Sequence, residues 1–265
     1  MSEGEGSASL HSMSSDAVTS RARDLLASAT KVAVLTGAGI STDSGIQDFR
    51  GPNGLWTKNP QAEKTATLSH YVGSADIRRQ AWRNRVEGPY WKAEPNDGHR
   101  ALLALERQGK LDLLVTQNVD GLHHDAGSDP ARIVEVHGTV RRYGCLDCGE
   151  GGPMADALDR VRAGEDDPAC TACGGILKSA TISFGQNLVV EDLVRAERAA
   201  QECDLLLCVG TSLGVYPVAG MVPVAKRAGA HLVIVNAQET PFDPIADAVV
   251  RGSISEVLPE ILGAS

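Results

Sequence analysis

The stretch VLTGAGISTDSGIQDFRG (34–51) places a glycine turn, Gly37-Ala38-Gly39, directly after an aliphatic run and closes on an acid, an aromatic and a base, Asp48-Phe49-Arg50. Glycines at a strand end let backbone approach a pyrophosphate, with the N–H groups of the following turn as donors. The dehydrogenase fingerprint is incomplete: Thr42 takes the third glycine position, and no acid closes a second strand about twenty residues on. A second apolar run, DLLLCVG (204–210), leads into Gly210-Thr211-Ser212, whose hydroxyls suit phosphate or ribose. Asn236, after the run HLVIVN, suits an adenosine ribose. Three histidines, His123, His124 and His137, follow apolar runs, and a neutral imidazole near pH 7 can take a proton from a hydroxyl. On residue type alone, all three are candidate bases.

The cysteines point to a different chemistry. Cys145-Leu-Asp-Cys148 and Cys170-Thr-Ala-Cys173 are two CxxC pairs, and Gly174-Gly175 allows tight backbone beside the second. Each pair offers two thiolates to one ion, and two pairs complete the tetrahedral sulfur shell that Zn²⁺ prefers. A redox CxxC needs only one pair beside a helix. Four sulfurs leave no open coordination position, so this metal is expected to hold a small module together. Cys203 and Cys208 flank or lie within an apolar run and are expected to be inert core residues.

These groups require a scaffold that brings strand ends together. Five apolar runs read as buried parallel strands: 31–36, 111–117, 132–136, 204–210 and 231–236. Helical patterns lie at 20–30, 98–108, 190–201 and 218–228. Strands alternating with helices predict an α/β fold with a doubly wound parallel, Rossmann-like sheet, whose ligands bind beyond the carboxyl ends of the strands. The five runs end in Gly37-Ala38-Gly39, Gln117-Asn118-Val119-Asp120, His137-Gly138, Gly210-Thr211-Ser212 and Asn236, which makes one rim the expected site. Residues 51–96, with three Trp and two Tyr, read as helices and loops over that rim, and 139–182 as a zinc-binding insertion. The expected organisation is a tail (1–17), a nucleotide-binding domain from 18–50, 97–138 and 183–265, a helical part at 51–96 and the zinc module at 139–182.

Composition excludes other classes. A formal charge of −9 over 265 residues argues against nucleic acid as the main ligand, because phosphate contacts need clustered Lys and Arg. No apolar run is long enough to span a bilayer. The start, MSEGEGSASLHSMSSDAV, lacks the basic flank and apolar stretch of a signal peptide, so the expected compartment is the cytoplasm.

Taken together, GAGISTDSGIQDFRG (37–51), TQNVDGLHHDAG (116–127), VEVHG (134–138), the CxxC pairs, ISFGQNL (182–188), GTSLGVYPVA (210–219) and VNAQETPFD (235–243) closely match one family. The chain resembles the sirtuins, NAD-dependent protein-lysine deacylases. The resemblance implies that NAD is a consumed co-substrate: the acyl-lysine oxygen attacks the ribose carbon bearing nicotinamide, and the acyl group ends on ADP-ribose. It implies His137 as general base and Asn118 as a catalytic ribose contact. It implies cofactor contacts at Gly37, Ala38, Gly39, Thr42, Asp48, Phe49, Arg50, Gln117, Asp120, Gly210, Thr211, Ser212, Asn236, Gln238 and Ile254, with one structural zinc. Breaking the glycosidic bond develops positive charge where stray water is destructive, and Phe49 is placed to exclude it. Arg50 would meet phosphate or polar parts of the cofactor while Asp48 fixes the loop.

The resemblance also implies acylated-lysine protein substrates, with the peptide adding as a strand between the FGQ and GVYP segments against Phe184, Gly185 and Val215. Departures fall at Gln47, where the family usually has proline, at Gln186 in place of Glu, and in LKSAT (177–181), which lacks a proline. Members removing acidic acyl groups carry a Tyr and an Arg three apart before the PN.GH segment. Trp82 and Arg85 are the nearest match, so deacetylation is expected over desuccinylation. The other readings are mono-ADP-ribosyl transfer at the same site, a non-catalytic NAD sensor, and a zinc-ribbon nucleic-acid binder, which the charge disfavours.

Overall fold

Uninterrupted apolar runs become a buried parallel sheet in the computed structural model, which describes residues 14–48, 54–58 and 62–263. The strands are β1 (Val32–Thr36), β2 (Leu111–Thr116), β3 (Ile133–Glu135), β4 (Gly138–Cys145), β5 (Gly151–Pro153), β6 (Leu177–Thr181), β7 (Leu205–Val209), β8 (His231–Val235) and β9 (Ala248–Val250). Six pair in the order β3-β2-β1-β7-β8-β9, all parallel, and β5-β4-β6 form a separate antiparallel sheet. Strand order reverses between β1 and β7, the switch point beyond which such sheets bind ligands.

The helices are α1 (Ser15–Ser28), α2 (Ala75–Glu87), α3 (Asp97–Arg107), α4 (Leu122–Asp125), α5 (Met154–Arg162), α6 (Val190–Glu202), α7 (Met221–Arg227) and α8 (Ile254–Leu262). Three short helical segments, Leu55–Lys58, Ala62–Thr65 and Leu68–Gly73, precede α2. Because successive strand residues face opposite sides, Val32 and Val34 pack with α1, α3 and α8, whereas Ala33 and Leu35 pack with α6 and α7. Covering both faces explains why the strands lack hydrophobic alternation. A third core joins Trp82 of α2 to Met154 and Leu158 of α5, Leu177 of β6 and the metal-site cysteines Cys145 and Cys170.

All five expected strands are present. Helix α1 begins at Ser15, capped by the Ser14 hydroxyl, so the last residues of the expected 1–17 tail are helical; residues 1–13 lie outside the described residues. The pattern at 218–228 resolves into a 3₁₀ turn, Val218–Gly220, before α7. Helix α3 starts where Asn96 accepts bonds from the N–H groups of Gly98 and His99 while the Asn96 N–H donates to His99 Nδ1, a capping box that holds His99 inward. No described helix is long and apolar enough to cross a membrane.

Candidate functional site at the carboxyl rim of the sheet

The glycines after β1 and β7 pack on each other. Gly37 N–H donates to Val209 O at 3.0 Å and Gly39 N–H to Gly210 O at 2.8 Å. A Cβ on Gly37 or Gly39 would fall 2.8 Å from Gly210 or Thr211 atoms, and one on Gly210 (φ +61°) 2.4 Å from Ile40 N. The immediate need for these glycines is thus close contact between two loops at the switch point. Ala38 opens a 3₁₀ turn, Ala38–Ser44, in which the Thr42 hydroxyl donates to Gly39 O. Asp48 is half-buried; Phe49 and Arg50 lie outside the described residues.

The end of β2 is bonded into this loop. Asn118 Nδ2 donates to Gly37 O and to Ser41 Oγ, each at 3.1 Å. Ser41 Oγ donates in turn to Asp120 Oδ2 at 2.8 Å, and Leu122 N–H donates to Asp120 Oδ1. Burial holds the Asp120 carboxyl above the usual range, opposed by the bonds from Leu122 and Ser41. Thr211 Oγ1 donates to Gln117 Oε1 at 2.9 Å, which ties β7 to β2. Ser41 escaped the sequence reading because its role depends on a residue seventy-nine positions away.

The three histidines separate clearly. His137 Nδ1 lies 2.9 Å from Gln117 O; a carbonyl only accepts, so Nδ1 carries a proton, and in the neutral ring Nε2 is then the basic nitrogen. His123 is buried beneath the rim with Nε2 3.1 Å from Thr36 Oγ1, and burial pushes it well below the ordinary imidazole value. His124 Nε2 faces the Glu135 carboxylate at 3.7 Å, which raises its pKa.

Other candidates lie further along the sheet. Ser212 is exposed beside Thr211. Asn236 Nδ2 donates to the carbonyl of Gln238, itself exposed, beyond β8. Ile254 is buried at the start of α8, against Gly98, where an added Cβ would lie 3.0 Å from Ile254 Cγ2. Its side chain is part of the core between α8, α3 and Ile40.

The cysteine cluster passes a geometric test for zinc. The four sulfurs lie within 4.8 Å of one another, with Cys145–Cys173 at 3.6 Å and Cys148–Cys170 at 3.7 Å. A tetrahedron with Zn–S near 2.3 Å has sulfur separations of about 3.8 Å. Asp147 N–H points at Cys145 Sγ and Gly175 N–H at Cys173 Sγ, each 3.4 Å away, as ligand-orienting donors. The cluster fits one structural zinc ion. Cys203 and Cys208 are buried at β7, and burial raises both thiols, Cys203 to about 11.

On the second face of the site, Phe184 is paired on one side: its N–H donates to Ala66 O at 2.8 Å and its carbonyl accepts from Leu68 N–H at 2.9 Å. Phe184 and Gly185 (φ +88°) line an open groove of about 420 Å³ with Thr67, Leu68, Ser69 and Val72. Val215 is half-buried on the loop after β7, and its carbonyl accepts from Ala219 N–H.

The Sir2 family model matches residues 37–217. An NAD-dependent protein deacetylase of Streptomyces coelicolor is 51% identical over 231 residues, 87% of this chain and 96% of the relative. A structure from work on the mechanism and regulation of Sir2 enzymes superposes with a TM-score of 0.84 at 38% identity, covering 94% of this chain and 98% of that one. A Sir2 histidine-to-alanine variant holding a deacetylated p53 peptide and 3′-O-acetyl-ADP-ribose superposes with a TM-score of 0.83 at 34% identity, covering 91% and 96%.

Proposed function

The chain belongs to the Sir2 family, and on that premise we propose that it is an NAD-dependent protein deacetylase acting on acetylated lysines of proteins. When bound, NAD supplies the ribose carbon that receives the acyl oxygen as nicotinamide leaves. His137 is the general base: its Nδ1–H is held by the Gln117 carbonyl, so Nε2 is the atom that takes a proton from a ribose hydroxyl. Asn118 is the ribose contact beside it, and its amide is aimed by Gly37 O and Ser41 Oγ. Asp120 accepts from Ser41 and Leu122, which suits it to a fixed acceptor role in the nicotinamide pocket. Gly37, Ala38, Gly39, Thr42, Gly210, Thr211 and Ser212 form the phosphate and ribose side, with Asn236 and Gln238 on the adenosine side. By the family resemblance, Phe49 would exclude water from the reacting bond, Arg50 would meet phosphate or polar parts of the cofactor, and Asp48 would fix the loop. Ile254 supports the loop from the core.

An acyl-lysine peptide pairs with the backbone of Gly185 and Val215. Phe184 contributes its ring, since its own N–H and carbonyl are bonded to Ala66 and Leu68 respectively. The zinc module (139–182) and helical part (51–96) form a small domain on the nucleotide-binding domain (18–50, 97–138 and 183–265), and their shared core around Trp82 supports that division. Four reduced thiolates suit a cytoplasmic setting.

The observation that carries the reading is the pairing of His137 with Gln117 on the rim that also holds Asn118 and Asp120. Incubation with NAD and an acetyl-lysine peptide should release nicotinamide and O-acetyl-ADP-ribose in equal amounts. Intact NAD after such an incubation would overturn it.

A further inference from the structure

Two buried imidazoles beneath the rim have no part in the mechanism above. His99 and His123 are almost fully buried, with ring centroids 4.9 Å apart and planes inclined at 55°. His99 Nε2 and His123 Nδ1 are buried without a hydrogen-bond partner among the described residues. Orphan buried nitrogens are costly, so two of them on adjacent rings need an explanation.

Proton placement supplies one. The Asn96 N–H donates to His99 Nδ1, which leaves the His99 proton on Nε2 as an unused donor. The alternative, Nδ1–H donating to Asn96 Oδ1 at 3.1 Å, would compete with two backbone donors already on that oxygen and strand the Asn96 N–H. On the other ring, Thr36 Oγ1 donates to Thr116 Oγ1 at 2.8 Å, so His123 Nε2, 3.1 Å from Thr36 Oγ1, is the donor to it. That leaves His123 Nδ1 as an unused acceptor. The two orphans are complementary. Thr116 Oγ1 also accepts from the Asn118 N–H at 3.1 Å. Hydrogen bonds run from His123 through Thr36 and Thr116 to the backbone of Asn118, and His99 at the cap of α3 lies against the far side of the His123 ring.

We infer that His99 Nε2–H and His123 Nδ1 are joined across one trapped water, and that His123 is a positioning residue for Asn118 through Thr36 and Thr116. The inference rests on the deacetylase reading for its effect on rate but not for the pairing itself. Burial keeps both rings neutral, as the relay requires, with His99 held down to about 4.

Two measurements test it. Imidazole ¹⁵N NMR of the whole protein without ligand should show both rings as neutral Nε2–H tautomers between pH 6 and 8; a neutral Nδ1–H tautomer on either ring overturns the pairing. In kinetics, His123→Gln keeps an N–H near the Nε2 position, whereas His123→Phe fills the space without a donor. The Phe variant should lose about tenfold in kcat, the worth of one mispositioned hydrogen bond, with peptide KM unchanged. The Gln variant should recover most of that loss. Equal loss in both variants, tracking their melting temperatures, would make His123 merely structural and overturn the positioning role. Failure of the unmodified protein to release nicotinamide would instead remove the deacetylase reading and leave the NMR result standing.

Discussion

His137 Nδ1 lies 2.9 Å from the carbonyl oxygen of Gln117, 20 residues away in sequence but at the end of the neighbouring strand in the sheet. That contact decides which ring nitrogen faces the reaction, because a carbonyl admits only the protonated one. Replacing His137 with alanine should therefore lower nicotinamide release and acyl transfer by roughly 10²- to 10⁴-fold, the usual worth of a positioned general base. Circular dichroism and zinc content should not change; loss of fold in the variant would assign the ring a structural role.

The zinc prediction follows from sulfur geometry. Each thiolate holds the others' ion, and little else in the module can replace that bond, because its core is a handful of side chains around Trp82. Cys145→Ala should lose the metal, lower the melting temperature and expose the third core to proteolysis, as should strong chelators on the unmodified protein. Elemental analysis finding one zinc per chain in the variant would exclude the four-thiolate site.

Gly210→Ala tests the packing of the two loops. The position has φ +61°, and a methyl there would meet Ile40 N at 2.4 Å, so both strain and collision act. The expected cost is about 1–3 kcal/mol of stability, together with weaker NAD binding, since the loops part at the switch point. Unchanged NAD affinity by calorimetry would show that the close approach of these loops is not needed for the cofactor.

Legibility divided along the range of the interactions. The parallel strands were readable because burial on both faces makes them continuous apolar runs, whereas β9, Ala248–Val250, is too short to register and β4, GTVRRYGC, mixes charges with glycines. The CxxC pairs were readable because a metal knuckle is local. Ser41, Thr36, Thr116 and His99 were not: each acts by a hydrogen bond or, for His99, a ring contact between segments that only the fold joins. The glycines were legible as a turn, but their contact with each other across β1 and β7 needed the sheet order.

Acid should unfold the protein from the inside. Burial holds His99 at about 4 and pushes His123 well below its ordinary value, against about 6.5 in an unfolded chain. The unfolded state then binds more protons, so the stability these rings contribute is present above pH 6.5 and is lost as pH falls toward 4. The His99 share is of the order of 3 kcal/mol. Denaturant titrations should show this slope in the unmodified protein and a shallower one in His99→Gln; parallel slopes would mean that another group governs acid lability.

The acyl preference expected from Trp82 and Arg85 is testable at Arg85. Its Nη2 donates to Ser179 Oγ at 2.9 Å, its guanidinium lies over the rings of Tyr71 and Trp82 at 5.8 and 5.2 Å, and Nη1 is buried without a hydrogen-bond partner among the described residues. The neighbouring Lys178 ammonium donates to the carbonyls of Ser179 and Thr181, and burial lowers it to about 8. A free donor on a buried cation is what an acidic acyl group would need, but Trp82 offers no hydroxyl to share the carboxylate. Removing a carboxylate from water for one guanidinium already engaged with two rings and a serine gains less than a bidentate, hydroxyl-assisted site would. Acetyl-lysine should therefore be cleaved faster than succinyl-lysine, and Arg85→Met should reduce any residual succinyl cleavage more than acetyl cleavage. Faster succinyl cleavage by the unmodified protein, abolished in the Met variant, would make Arg85 an acyl-carboxylate partner and reverse the assignment.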